Sequence, residues 1–105
     1  MNPNFSNKGT ISVSGTIVVE CDDRTRKLIR CMKFRNPLGY TLTIDVYDKY
    51  SNTTVTTTLM SLSAGDQLID DDELYLEPGD KITVTSNISG TTFIITGEDI
   101  DLKKR

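Results

Sequence analysis

The chain of 105 residues has no histidine, no tryptophan, three prolines and two cysteines. Without histidine there is no Ser-His-Asp or Cys-His nucleophile, because both need an imidazole to take the proton. Metal sites built on imidazole are excluded for the same reason. No glycine-rich loop of the phosphate-cradling type and no dinucleotide fingerprint occurs. No apolar run approaches the ~18 residues that a spanning helix needs. The start, MNPNFSNKGT, lacks a basic region followed by an apolar stretch, so no signal peptide is expected and synthesis is expected in the cytosol.

Apolar residues are scarce as well, at 36%. One domain is expected from the length. A domain of this size buries roughly two-thirds of the surface its unfolded chain exposes. The abundant residue is threonine, with fifteen copies, joined by eight serines. Thr, Val, Ile and Tyr suit the half-buried pleated surface of a sheet.

The pattern along the chain agrees. Ile11, Val13, Ile17 and Val19 alternate with small polar residues, which predicts a strand with Gly15 as a bulge or bend. The segment TRKLIRCMKFR, 25–35, places Leu28, Ile29, Cys31 and Met32 where one helix face would also have them. The missing cap and the stop at Asn36-Pro37 favour a strand. Asn36-Pro37-Leu38-Gly39 reads as a type I turn with Pro37 second and Gly39 fourth. Tyr40, Leu42, Ile44 and Val46 form the clearest alternation. Ser51-Asn52 then marks a hairpin tip, and 53–62 its return strand. Short strands are predicted around 74–76, 82–84 and 93–95, with a turn at 87–90. The expected fold is therefore all-β: one antiparallel β-sandwich over 1–105, jelly-roll or immunoglobulin-like, of seven to eight short strands. It would carry a polar N-terminal arm at about 1–9 and a basic C-terminal tail at about 98–105.

Two near-copies of one phrase, LSAGDQL at 62–68 and LEPGDKI at 76–82, flank four consecutive acids, Asp70, Asp71, Asp72 and Glu73. Gly65 and Gly79 permit positive φ, and Asp66 and Asp80 can accept from nearby amides, so each phrase is a tight turn launching a strand. Calcium loops space their acids at alternate positions around a glycine, unlike this run. A catalytic carboxylate pair needs burial that an all-acidic loop does not offer. No metal, cofactor or catalytic residue is therefore assigned. Cys21 and Cys31 would lie too far apart to bridge if 16–21 and 26–31 formed a hairpin, which leaves two free thiols.

Net charge is −3, which argues against general nucleic-acid binding. The charges are segregated. Arg24, Arg26, Lys27, Arg30, Lys33 and Arg35 fall in twelve residues without an acid; Asp66 to Asp80 holds seven acids in fifteen residues without a base. Two readings follow: solvated faces paired within the monomer, or a positive surface on one copy meeting a negative surface on the next. The basic run holds Phe34 but no interleaved aromatic set for stacking bases. Tyr40, Tyr47, Tyr50 and Tyr75 are ordinary sheet residues or, if clustered on one face, a carbohydrate groove.

The order of four segments, Ile29 to Asn36, Leu62 to Asp66, Leu76 to Ile82 and Phe93 to Ile100, resembles small virion proteins of tailed bacteriophages. The resemblance covers about 16–100, and the basic charges of the run 24–35 are not part of the shared pattern. It implies a β-sandwich building block of the virion, near the tail, neck or capsid surface, with no catalytic residues. The resulting expectation is a non-enzymatic subunit, made in the host cytoplasm and present in many copies around the neck or tail. Arg24, Arg26, Lys27, Arg30, Lys103, Lys104 and Arg105 would face Asp70, Asp71, Asp72 and Glu73 of a neighbour. Partners would be other copies and other virion proteins, with no small-molecule substrate, nucleic acid or membrane. The alternatives are a capsid decoration or cement protein and a carbohydrate-binding module at a host-contacting tip.

Overall fold

A computed structural model describes residues 4–101. Nine strands occur among them: β1 Asn4–Ile11, β2 Thr16–Glu20, β3 Thr25–Arg35, β4 Tyr40–Asp48, β5 Thr53–Leu62, β6 Gln67–Asp70, β7 Leu74–Leu76, β8 Lys81–Ser86 and β9 Thr91–Asp101. All pairings are antiparallel, in two sheets ordered β1-β9-β3-β6 and β2-β8-β4-β5, with β7 also on β3.

The pairing is nested. β1 meets β9, β2 meets β8, β3 meets β6 and β7, and β4 meets β5. β6 and β7 lie end to end along β3, so they act as one strand interrupted by an acidic loop. The chain is thus one long hairpin rolled up so that β9 joins β3 and β8 joins β4. That is the jelly roll, and it decides between the two sandwich types.

Alternation builds the core. Tyr40, Leu42 and Ile44 of β4 and Ile82, Val84 and Ser86 of β8 are buried while their neighbours are half-exposed. All but Ser86 share one apolar cluster with Met32, Phe34 and Ile95 of the other sheet. β3 breaks the alternation because its register on β9 slips between Ile29 and Cys31. This bulge buries Leu28 and Ile29 in succession, which is why the segment also resembles a helix face. Gly97 sits opposite, where a Cβ would lie 2.0 Å from the Leu28 carbonyl oxygen.

Several expectations need correction. The run 11–19 is not one strand. β1 ends at Ile11, a turn closes with the Gly15 amide on the Ser12 carbonyl (3.2 Å) at φ +105°, and β2 starts in the opposite sheet. β2 and β3 therefore form no hairpin, although both cysteines are free. The polar segment expected as an arm at 1–9 is a paired edge strand from Asn4 onward. The tail expected at 98–105 is strand β9 as far as Asp101, while Lys103, Lys104 and Arg105 lie outside the described residues. β6 was not foreseen. The 36–39 turn is organised by a side chain: Asn36 Oδ1 accepts the Leu38 amide (2.9 Å), and the Asn36 carbonyl accepts from Gly65 (2.9 Å), across from the β5–β6 turn.

Candidate interaction surfaces

The repeated phrases form turns with positive φ, +79° at Gly65 and +89° at Gly79. Their aspartates differ. Asp80 is buried, and its carboxylate accepts the Lys49 and Glu77 amides, each at 3.0 Å. Asp66 is exposed; its backbone carbonyl takes the Tyr40 hydroxyl (2.9 Å) and its carboxylate has no bond among the described residues. Burial pushes the Tyr40 hydroxyl pKa up, with the Asp66 charge adding to the effect.

Half of the basic run meets acids of its own chain. Arg26 pairs with Glu77 (2.9 Å) and its guanidinium lies 4.7 Å from the Tyr75 ring centre. Lys27 pairs with Asp99, its register partner on β9. Arg30 reaches both Glu73 (2.8 Å) and Glu98 (3.4 Å). The cause is topological: antiparallel pairing lays the basic half of β3 between acidic β9 and the acidic flanks of β7. Arg24, Lys33 and Arg35 are exposed and make no ion pair among the described residues. Asp70, half-buried, and Asp71 and Asp72, exposed, likewise make no ion pair among the described residues, and Asp70 Oδ1 accepts the Asp72 amide (3.1 Å). No group of three or more carboxylates or thiols converges on a common point among the described residues.

An open groove of about 530 Å³ lies beside the β2–β3 turn, lined by Asp22, Asp23, Tyr47, Lys49 and Lys81. Its charges are largely satisfied locally. Lys49 reaches Asp23 (3.7 Å), Lys81 lies over the Tyr47 ring, and the Arg24 amide and Thr25 hydroxyl hold the Asp22 carboxyl below its usual range. Below it the Cys21 thiol is raised by burial. The tyrosines do not gather: Tyr40 is buried, Tyr47 and Tyr50 flank the β4–β5 tip, and Tyr75 lies on the other sheet.

The two sides of the sandwich differ. On one, β1 and β2 close together, with Asn7 Nδ2 donating to the Val18 carbonyl (2.9 Å). On the other, β5 and the β6–β7 edge stand apart around a gap of about 270 Å³, lined by Met32, Thr57, Thr58, Asp70 and Glu73. β5 is exposed along nearly its whole length, including Val55, Leu59 and Met60. Its sequence, TTVTTTLMSL, signals a strand but not that its second side lacks a neighbour among the described residues.

No protein-family model matches this chain, and no curated protein matches it. Solved structures do. A chain of the Bacillus endospore appendages, described as disulfide-linked pili, aligns at TM-score 0.61 and 12% identity over 97% of this chain and 88% of that one. A capsid structure of Helicobacter pylori bacteriophage KHP30 aligns at 0.56 and 7%, over 97% and 91%. A pentameric capsid protein from metagenomic phage sequences aligns at 0.52 and 17%; this chain covers 64% of its length, and 93% of this chain is aligned. These likenesses are of fold.

Proposed function

We propose that this chain is a non-enzymatic structural subunit of a virion that acts in many copies. The observation that carries the reading is the rolled-hairpin topology, which the chain shares over nearly its whole length with a phage capsid structure. The surface supports it. Among the described residues no carboxylate or thiol cluster converges, the groove beside the β2–β3 turn is open, and one side of the sandwich leaves a strand edge bare. Fold alone does not assign an activity, so these features matter beside the likeness.

Tail or neck placement follows from the resemblance in the order of segments. The capsid neighbours favour a second placement, as a capsid or capsid-decorating subunit. For the contact between copies, the acids of 70–72 and the cations Arg24, Lys33 and Arg35 are among the charges that form no ion pair within the described residues. Arg26, Lys27 and Arg30 serve first inside the chain and join such a contact only at its rim. Lys103, Lys104 and Arg105 remain candidates on the same charge argument. Rim charges of this kind register partners more than they add affinity.

The test is the mass in solution by light scattering at micromolar concentration, in low and high salt. Oligomers that shrink in high salt, and shrink equally when Asp70, Asp71 and Asp72 are all replaced by Asn, are expected. A monomer in both salts overturns self-assembly, and assembly unaltered by the triple variant overturns the charged contact.

A further inference from the structure

The sandwich has four strand edges, and three are guarded. β1 carries Lys8 and Gly9 near its middle. β2 has five residues, ends in Glu20, is bulged against β8, and has its Val18 carbonyl capped by Asn7. The β6–β7 edge is cut into pieces of four and three residues by an acidic loop. Short edges, bulges and charges are the usual devices against unwanted pairing. β5 has none of them facing outward: ten residues, no charge, no proline, with Val55, Leu59 and Met60 exposed at 58, 70 and 45%. Its bulge lies within the pairing to β4, where the register slips around Thr57.

We infer that β5 is a docking strand for β5 of a second copy, paired antiparallel about a two-fold axis. This rests on the multi-copy reading above for its occupant and deepens it by naming the contact. Self-complementarity identifies that occupant. β5 is neutral, so two copies meet without the like-charge penalty that β6–β7 would impose on itself. The faces also match. Register on β4 puts Val55, Thr58, Met60 and Leu62 on the core side, beside Val46, Ile44, Leu42 and Tyr40, and Thr56 and Leu59 on the outer side, beside Asp45 and Thr43. Overlapping all ten residues about an axis between Thr57 and Thr58 sets Val55 opposite Met60 of the second copy. Both of these lie on the core side. It sets Thr56 opposite Leu59, both on the outer side, and the bulges meet at the axis. A slip of one residue sets core-side against outer-side residues, which a pleated pair does not allow. On the order of ten main-chain hydrogen bonds then join two four-stranded sheets into one of eight. The pairing is small beside a standard interface of about 1,600 Å². It acts in the micromolar range alone and more strongly where many copies are held together.

The experiment is Leu59→Lys, with Val55→Lys as a second variant, both at exposed positions. Circular dichroism checks the fold, and light scattering reads the mass at ~10–100 μM and high salt, where charged contacts are screened. The wild type is expected to show a two-chain species that both variants lose at least tenfold in affinity. A Val55→Cys/Met60→Cys variant is expected to form a covalent two-chain species on mild oxidation, since directly opposed residues lie ~4.5–5.5 Å apart, within disulfide reach. Wild-type protein is the control for Cys21 and Cys31. No two-chain species in the wild type, a species that survives both lysine variants, or no cross-link overturns the inference. Failure of the charged contact is read separately, from the Asp-to-Asn triple variant, so either contact can fail alone.

Discussion

Replacing Asn36 tests how the jelly roll is fastened at one end. Asn36 is 1% exposed. Its Nδ2 donates to the Ser89 carbonyl (3.0 Å) and the Thr91 hydroxyl (2.9 Å), while Oδ1 accepts the Leu38 amide. The Thr91 hydroxyl is in turn within 2.7 Å of the Ser86 hydroxyl, so one side chain ties the β3–β4 turn to the β8–β9 hairpin. Asn36→Ala removes three hydrogen bonds, each contributing about 1 kcal/mol net, and strands groups that water reaches only partly. We expect a loss of about 2–3 kcal/mol. For a domain of this size that lowers the melting temperature by about 8–24 °C, by circular dichroism. Asn36→Asp keeps the acceptor for Leu38 but turns a carboxylate oxygen toward the Ser89 carbonyl. Protonation restores a donor, so the folded-state pKa of the new carboxyl lies above its unfolded value of about 3.9. The native state then binds the extra proton more tightly. Relative to wild type, Asn36→Asp is therefore least destabilised below pH ~3.9, and its deficit grows as pH rises through the folded-state pKa. A change under about 0.5 kcal/mol in Asn36→Ala, or the same pH profile for Asn36→Asp and wild type, would refute this account.

Three other outcomes follow from the same structure. Asp80→Ala removes two charge-assisted bonds from a buried carboxylate and is expected to cost about 3 kcal/mol by urea titration, whereas Asp66→Ala costs less than about 0.5. Gly97→Ala drives a Cβ to 2.0 Å from the Leu28 carbonyl and is expected to cost about 3 kcal/mol or prevent folding; at Gly39 the nearest atom is 3.5 Å away and alanine should be tolerated, both read by melting temperature and soluble yield. Because burial raises the Cys21 thiol pKa, the native state holds that proton longer than the unfolded state, so stability falls as pH rises past the ordinary thiol value. At neutral pH iodoacetamide should therefore modify Cys21 only after unfolding, and equal rates by mass spectrometry in native protein and in denaturant would contradict this.

Local chemistry was enough to read much of the fold. The alternation of Tyr40 to Val46 made β4 legible, and the Gly-Asp phrases gave both positive-φ turns. β1 was not legible because Asn4 to Thr10 is polar apart from Phe5 and shows no alternation. It becomes a strand by pairing with β9, which supplies the hydrogen bonds and the shelter for Phe5. β6 was hidden for a similar reason, since only four residues separate the Gly65 turn from the acidic loop. The site was less legible. The sequence separated acids from bases but left open whether they meet within or between chains; antiparallel pairing of β3 with β7 and β9 brought Arg26, Lys27 and Arg30 to acids of the same chain.

By itself the sequence determined an all-β antiparallel sandwich, because period-two alternation and turn chemistry are local properties of neighbouring residues. It also determined the absence of imidazole chemistry, because composition needs no coordinates. Tertiary structure alone decided the jelly-roll order, since strand partners lie as far apart in the chain as Asn4 and Glu98 and no local pattern encodes them. It alone gave Asp66 and Asp80 different work in near-identical phrases, because burial comes from what packs above a turn. And it alone left β5 bare among the described residues, because the edge of a sheet is defined by the neighbour that is missing.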